Sequence, residues 1–141
     1  MKYVIDTSVG FKWVVSEVDS DKATRQRDDR NNAVHELLAP DIFPTEIGNA
    51  FAFAERGGRL QPGQAALFFL EILKNAPRLY SAIPLLPRAM DICIQKRQSV
   101  YDCLYVALAE RENCELVTAD DKLVRNLQLH FPFIVHLNTL P

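Results

Sequence analysis

Two stretches with the same pattern, one near each end of the chain, indicate the fold. The first, Lys2-Tyr3-Val4-Ile5-Asp6-Thr7-Ser8, places a short apolar run before an acid and two hydroxyl residues. This pattern predicts a buried strand over 2–6, followed by a helix over 9–15 that Thr7 and Ser8 cap. The second, Glu115-Leu116-Val117-Thr118-Ala119-Asp120, repeats the pattern and predicts a strand at 115–118 and a helix over 121–129.

Strands and helices alternate between and after these two stretches. Further strands are predicted at 41–43, 79–83 and 133–137. Helices are predicted over 44–56, 85–98 and 100–113, from Pro62 to about residue 73, and out of the polar segment 16–32 through Ala33, Val34, Leu37 and Leu38. Such alternation predicts one domain over 1–141, a three-layer α/β/α sandwich with a central parallel sheet.

Composition fits a single globular domain and restricts the location of the protein. The 141 residues are 48% hydrophobic and 24% charged, with a formal net charge of −2, so nucleic-acid binding would need a local basic surface and metal ions. Asp6 and Lys12 interrupt the N-terminal apolar stretch, which excludes a secretory signal. Cys93, Cys103 and Cys114 lack metal-ligand spacing, so we expect reduced core cysteines in a cytoplasmic protein.

Three acids each follow a predicted strand: Asp6, Glu46 and Asp120. Helix capping is the better explanation for any one of them alone. However, the carboxyl ends of parallel strands lie along one edge of the sheet, where open α/β sheets bind ligands. We therefore expect these three side chains to meet there.

Asp102 is the one acid in the otherwise apolar segment 101–109. Ser99, three residues earlier, suggests a helix cap, but a buried carboxylate without a partner is costly or becomes protonated. The segment contains no Lys or Arg, so we expect a cation there. Four gathered carboxylates suit Mg²⁺ or Mn²⁺, whose typical chemistry in such a site is phosphodiester hydrolysis.

Four motifs in order carry a family resemblance: Val4-Ile5-Asp6-Thr7-Ser8-Val9, Pro44-Thr45-Glu46-Ile47-Gly48-Asn49-Ala50, the segment 100–110 around Asp102, and Leu116-Val117-Thr118-Ala119-Asp120. They resemble the PIN-domain family over nearly the whole chain, and VapC-type toxins best. This resemblance implies a PIN-like fold, metal-dependent endoribonuclease activity, a homodimer, and inhibition by a cognate VapB-type antitoxin that inserts into the active-site groove.

The resemblance also implies roles for individual residues. It makes four acids the metal-binding and catalytic set for Mg²⁺ or Mn²⁺: Asp6, Glu46, Asp102 and Asp120. Asn49, one helical turn from Glu46, is a candidate for holding a water or phosphate. Thr7 and Thr118 are candidates for supporting the acids, although capping explains them equally well. Asp121 is interpreted as the N-terminal acid of the next helix.

Other segments suggest contact surfaces. Segment 16–32 is interpreted as a solvated loop and helix, with an RNA- or partner-contacting flap as the alternative. The phenylalanines at 51, 53, 68 and 69 are mainly core, but two helices this apolar predict a surface for a dimer mate or an antitoxin helix. Arg56 and Arg59 are candidate RNA contacts, with a solvated turn as the alternative.

There are three alternative functions. A receiver-type signalling domain would need an acceptor Asp after a middle strand, but the predicted third strand ends at Ile83-Pro84. A non-toxin PIN nuclease that processes RNA, or a PIN protein that only binds RNA, keeps the same fold. The sequence leaves open the RNA target and the choice between one metal ion and two.

Overall fold

The computed structural model describes residues Met1–Pro141 and contains five strands and seven α-helices. The strands are β1 (Lys2–Ile5), β2 (Glu36–Pro40), β3 (Arg78–Tyr80), β4 (Glu115–Thr118) and β5 (Ile134–His136). The helices are α1 (Thr7–Val14), α2 (Ser20–Asn31), α3 (Phe43–Arg56), α4 (Gln64–Lys74), α5 (Leu86–Lys96), α6 (Val100–Glu112) and α7 (Asp121–Leu127). Short 3₁₀ turns lie at Ile83–Leu85 and Leu137–Thr139.

The strands form one sheet in the order β3-β2-β1-β4-β5, with every neighbouring pair parallel. The chain winds outward from β1 through β2 to β3, and then returns to place β4 on the other side of β1. The direction of winding therefore reverses between β1 and β4. The predicted parallel sheet flanked by helices is confirmed, and this reversal marks the crevice where such sheets bind ligands.

The core lies between the sheet and its helices. In β1 and β4, Val4, Ile5, Leu116 and Val117 are fully buried, as expected for central parallel strands covered on both faces. The most enclosed helix is α6, in which every residue from Cys103 to Ala109 is buried. The apolar circumference of this helix thus reflects its central position. No helix of the structure is long and apolar enough to cross a bilayer.

The sequence prediction was wrong around β2. Leu37 and Leu38 were assigned to a helix and residues 41–43 to a strand, but both leucines lie in β2, where they pair with Tyr3 and Val4. Ala33 adopts a left-handed backbone conformation, with φ of 60°, soon after α2 ends. A short apolar run cannot be assigned to helix or strand by periodicity alone, and here the pairing with β1 decides.

Smaller differences concern the ends of elements. The predicted strand 79–83 is shorter, because Ile83 and the two residues after it form a 3₁₀ turn. The helix expected from Pro62 begins at Gln64, after Gly63 with φ of 89°. Thr7 and Ser8 lie inside α1, whose cap is the Asp6 carboxylate, an acceptor of the Ser8 amide. That carboxylate therefore has a structural task besides any chemical one.

Helix α1 packs closely against α3 at Gly10. A Cβ atom at this position would lie 2.9 Å from Phe43 Cζ and 3.0 Å from Ile47 Cδ1. These distances are too short for a side chain unless the Phe43 and Ile47 side chains move. Gly10 therefore permits the close approach of the helices that follow Asp6 and β2.

Candidate acidic site

Asp6 lies at the winding reversal, directly after β1 and beside the end of β4. Thr118, the last residue of β4, donates its hydroxyl to Asp6 Oδ2 at 2.5 Å. Ser8 donates its hydroxyl to Asp6 Oδ1 at 2.5 Å and its amide to the same oxygen at 3.1 Å. The side chain is only 8% exposed. Both carboxylate oxygens are therefore fixed by neutral donors.

The same two hydroxyls hold the segment after β4. Ser8 Oγ accepts a hydrogen bond from the Ala119 amide at 2.9 Å, and Thr118 Oγ1 accepts one from the Asp120 amide at 3.0 Å. Asp120 in turn caps α7, because its Oδ1 accepts from the amides of Lys122 and Leu123. Asp120 is thus fixed at the same edge of the sheet as Asp6.

Glu46 approaches the site from the first turn of α3. Its Oε1 accepts a hydrogen bond from the Tyr105 hydroxyl at 2.7 Å. Tyr105 lies on α6 and is 2% exposed; burial and the charge of Glu46 raise its pKa far above the usual value. The phenol therefore remains a hydrogen-bond donor at neutral pH.

Asp102 lies in the first turn of α6 and is half-buried. Its backbone amide donates to Ser99 Oγ at 3.1 Å, which is half of the expected capping arrangement. Its Oδ2 accepts from Gln98 Nε2 at 2.8 Å. A buried neutral amide therefore holds Asp102, and the expectation that a cation neutralises its charge stays a prediction.

The four carboxylates are close enough for their charges to interact. Burial raises the pKa of Asp6 to about 6; the hydrogen bonds from Ser8 and Thr118 lower it, while the charges of Asp102 and Asp120 raise it. Burial and the charge of Asp102 likewise raise the pKa of Glu46, against the hydrogen bond from its tyrosine. None of the four forms an ion pair with Lys, Arg or His. Their repulsion is therefore not relieved by a protein cation.

In three of these acids, one carboxylate oxygen accepts a hydrogen bond from the protein and the other accepts none. The oxygens Glu46 Oε2, Asp102 Oδ1 and Asp120 Oδ2 receive no hydrogen bond from the protein, whereas their partner oxygens do. No three acidic, histidine or cysteine side chains converge to hold one ion together. Magnesium binds through one or two carboxylates and keeps several waters, so this donor set fits a hydrated Mg²⁺ or Mn²⁺.

The other predicted site residues are dispersed around the acids. Asn49 is exposed, one turn of α3 beyond Glu46. Thr7 is the first residue of α1 and lies beside the acids without bonding them. Asp121 is exposed, and its Oδ1 lies 2.8 Å from His136 Nε2, so it interacts away from the set.

Sequence reasoning did not identify three residues that hold the acids: Ser8, Tyr105 and Gln98. Ser8 was interpreted only as a helix cap. The role of Tyr105 could have been predicted, because Tyr105 follows Asp102 by one helical turn in a buried helix. A buried tyrosine hydroxyl needs a hydrogen-bond partner. Gln98 offered none beyond being a polar residue between two helices.

A cleft of about 570 Å³ between α1 and α3 opens beside the acids. Its lining combines the sheet edge with apolar and charged groups: Thr7, Ser8, Ala119, Phe11, Lys12, Glu17, Ala50, Phe53, Ala54, Gly57 and Arg59. The Arg59 guanidinium lies 5.3 Å from the centre of the Phe11 ring and pairs with Glu17, while Arg56 lies over Phe53 outside the cleft lining. The cleft thus extends from the sheet edge beside the acids to the side chains of Lys12 and Arg59.

Comparison with known proteins identifies the family. A family model of the PIN domain matches residues 3–126. The chain is a member of the PIN-domain family. It is similar to Ribonuclease VapC3 of Pyrobaculum aerophilum, with 30% identity over 137 residues that cover 96% of this chain and 98% of that protein. It is also similar to Ribonuclease VapC9 of Mycobacterium tuberculosis, with 31% identity over 103 residues that cover 73% of this chain and 80% of that protein.

The fold of this PIN domain also has a solved counterpart. The crystal structure of PAE2754 from Pyrobaculum aerophilum superposes with a TM-score of 0.71 at 20% identity, covering 99% of this chain and 94% of that one. Receiver domains have the strand order 2-1-3-4-5. The order here, β3-β2-β1-β4-β5, excludes the signalling alternative.

The raised pKa of Asp6 predicts how stability depends on pH. Its folded value of about 6 exceeds its ordinary value of 3.8, so the folded protein binds the extra proton between these limits. In EDTA we expect the free energy of unfolding to fall by about 1.4 kcal/mol per pH unit from about pH 4 to about pH 6. Asp6→Asn should remove this component, as measured by urea unfolding at a series of pH values.

The exposed Asp121→Asn serves as the matched control and should keep the wild-type slope. Identical pH profiles for Asp6→Asn and the wild type would show that burial and the neighbouring charges do not raise the pKa of Asp6.

Proposed function

We propose that this PIN domain is an endoribonuclease that uses Mg²⁺ or Mn²⁺ to hydrolyse RNA phosphodiester bonds. One observation above all supports this function: three carboxylates around the buried Asp6 are each held through one oxygen and free at the other. Helix capping alone would not explain why four acids without an ion-pair partner lie at the winding reversal. Such a set has the charge and the oxygen atoms that a hard divalent cation requires.

When bound, a divalent cation supplies Lewis-acid chemistry, by polarising a phosphoryl oxygen and lowering the pKa of water. The protein residues set the geometry for this chemistry. Asp6 is fixed at both oxygens, and Asp102 Oδ1 and Asp120 Oδ2 are the free oxygens that would hold the cation or its waters. Glu46 Oε2 would accept a proton from the water that attacks phosphorus, while the P–O bond of the backbone breaks and the leaving oxygen takes a proton from solvent.

RNA as the substrate is supported by the relatives and by the cleft. Two similar proteins bear the name ribonuclease. The cleft contains the cations of Lys12 and Arg59, both paired with Glu17, and a phosphate of a chain that passes the acids would compete with Glu17 for them. Phe53 is 67% exposed in the same cleft and offers a ring on which an unpaired base can stack. Asn49 and Thr7, beside Glu46 and Asp6, are proposed to position a phosphate or water, and Arg56 to contact a more distant phosphate.

The wider proposal is a type II toxin with a VapB-type antitoxin and a homodimeric assembly. Similarity to VapC ribonucleases supports this role, and so does a large apolar surface on α3 and α4. Phe53, Leu67 and Leu70 are 67%, 62% and 56% exposed, which is unusual for neighbouring large apolar side chains. We propose that a second copy of the chain covers the α4 part of this surface and that the antitoxin binds in the cleft.

The nuclease proposal predicts metal-dependent cleavage. Purified protein should cut single-stranded RNA with Mg²⁺ or Mn²⁺ and lose this activity in EDTA. Asp6→Asn and Glu46→Gln should each lower kcat by a factor of about 100 or more, the loss typical of a positioned proton acceptor or electrostatic group. Gel analysis of a labelled RNA measures the rates.

Asp121→Asn is the matched acid control, since its carboxylate is paired with His136 outside the set. It should retain wild-type activity. Cleavage that persists equally in EDTA and in Asp6→Asn would point to a contaminating nuclease and contradict the proposal.

The cleft predicts a binding defect in Arg59→Ala. Loss of one phosphate contact should raise KM several-fold, leave kcat nearly unchanged, and reduce the slope of log affinity against log salt by about 1. Fluorescence anisotropy with the inactive Asp6→Asn protein measures this slope. Arg27→Ala, which removes a cation paired with Asp28 on α2, should change neither value; equal effects of both variants would assign the defect to net charge.

The apolar surface predicts a dimer. Light scattering at micromolar concentration should give twice the mass of one chain, and Leu70→Arg on α4 should give the mass of one chain, because a buried charge is costly. Leu129→Arg is the control, since Leu129 is 91% exposed at the end of α7. A monomeric wild type would refute the assembly without affecting the nuclease proposal.

A further inference from the structure

Gln98, in the connection between α5 and α6, has a buried side-chain amide that is hydrogen-bonded at both its nitrogen and its oxygen. The residue is 7% exposed. Its Nε2 donates to Asp102 Oδ2 at 2.8 Å, and its Oε1 accepts from Asn126 Nδ2 at 3.1 Å. Arg97, with φ of 54°, ends α5 in a left-handed conformation just before it. Helix capping does not account for this chain of side-chain contacts.

The direction of the chain is fixed by the charge of Asp102. An ionised carboxylate can only accept a hydrogen bond, so Gln98 must turn its NH₂ group toward Asp102 and its oxygen toward Asn126. Asn126 must then offer its own NH₂ group. The three side chains therefore connect α6, which carries Asp102, with α7, which Asp120 caps.

We propose that Gln98 is a positioning residue of the acidic site and that Asn126 orients its amide for this task. The inference rests on the proposed nuclease function. Asp102 is half-buried and interacts unfavourably with the charges of Asp6 and Glu46, so without a restraint its side chain can turn toward solvent. Gln98 holds Oδ2 and leaves Oδ1 free, without neutralising the charge that a cation needs.

Gln98→Leu tests this task, because leucine fills a similar space and donates no hydrogen bond. Loss of a residue that supports a metal ligand typically weakens metal affinity 10- to 100-fold. We expect weaker binding of Mn²⁺ in that range, measured without RNA by electron paramagnetic resonance of the free ion. We also expect a lower kcat with an unchanged KM, because the RNA cleft lies between α1 and α3 and does not include Gln98.

Gln95→Leu, near the end of α5, is the matched control. Gln95 Nε2 also donates to an aspartate, Asp91 Oδ1 at 3.1 Å, but both residues are exposed. The same substitution there should leave Mn²⁺ affinity, kcat and KM at wild-type values. A general effect of losing a glutamine–aspartate hydrogen bond is thereby separated from an effect on the site.

Asn126→Asp is a second test that does not disturb a buried residue, since Asn126 is exposed. An aspartate can only accept, so it draws the Gln98 NH₂ group away from Asp102 and turns the amide oxygen toward it. An added negative charge alone would strengthen cation binding, so weaker Mn²⁺ binding supports the orienting role. If circular dichroism shows Gln98→Leu to be unfolded, this variant decides.

The outcomes separate the two proposals. A folded Gln98→Leu, or Asn126→Asp, that binds Mn²⁺ as tightly as the wild type overturns the role of Gln98 and leaves the nuclease function standing. A wild type that neither binds Mn²⁺ nor cleaves RNA contradicts the nuclease function, and this inference falls with it. Weaker Mn²⁺ binding in both variants, with Gln95→Leu unaffected, supports the inference.

Discussion

The hydrogen bond from Thr118 to Asp6 joins the ends of β4 and β1 where the winding of the sheet reverses. Its partners are 112 residues apart in sequence, so it exists only when the parallel sheet has formed. Ser8 completes the link, by donating to Asp6 and accepting from the amide after Thr118. The positions of the other acids are defined relative to this link. Asp120 follows it directly, the helix bearing Asp102 packs against β1 and β4, and the helix bearing Glu46 packs against α1.

Every group that holds an acid at this site is electrically neutral. Hydroxyls hold Asp6, a phenol holds Glu46, an amide holds Asp102 and backbone amides hold Asp120. A lysine or arginine would satisfy the same oxygens more strongly, but it would also compete with a cation for the charge. The protein instead leaves these charges without a counter-charge, and burial together with the neighbouring carboxylates raises the pKa values of Asp6 and Glu46.

The sequence was most informative where a local pattern had a single interpretation. The strand Glu115–Thr118 has the predicted bounds, and α6 follows its apolar pattern closely, because both elements are buried on all sides. Leu37 and Leu38 were misassigned because a run of this length fits either type of element until the pairing with β1 is known. Asp6 and Asp120 were visible because each closely follows a strand, and Asp102 because it is the one acid in an apolar segment. The groups that hold them were not, since Tyr105 meets Glu46 across 59 residues.

Gly10 links the packing of α1 to the start of α3, although it touches no acid. It lies four residues after Asp6 on α1, against the Phe43 ring at the start of α3, and Glu46 lies three residues beyond Phe43. A methyl group at position 10 would require the Phe43 and Ile47 side chains to move. The first turn of α3 between these two residues carries Glu46, so the placement of this acid depends on a position that has no side chain.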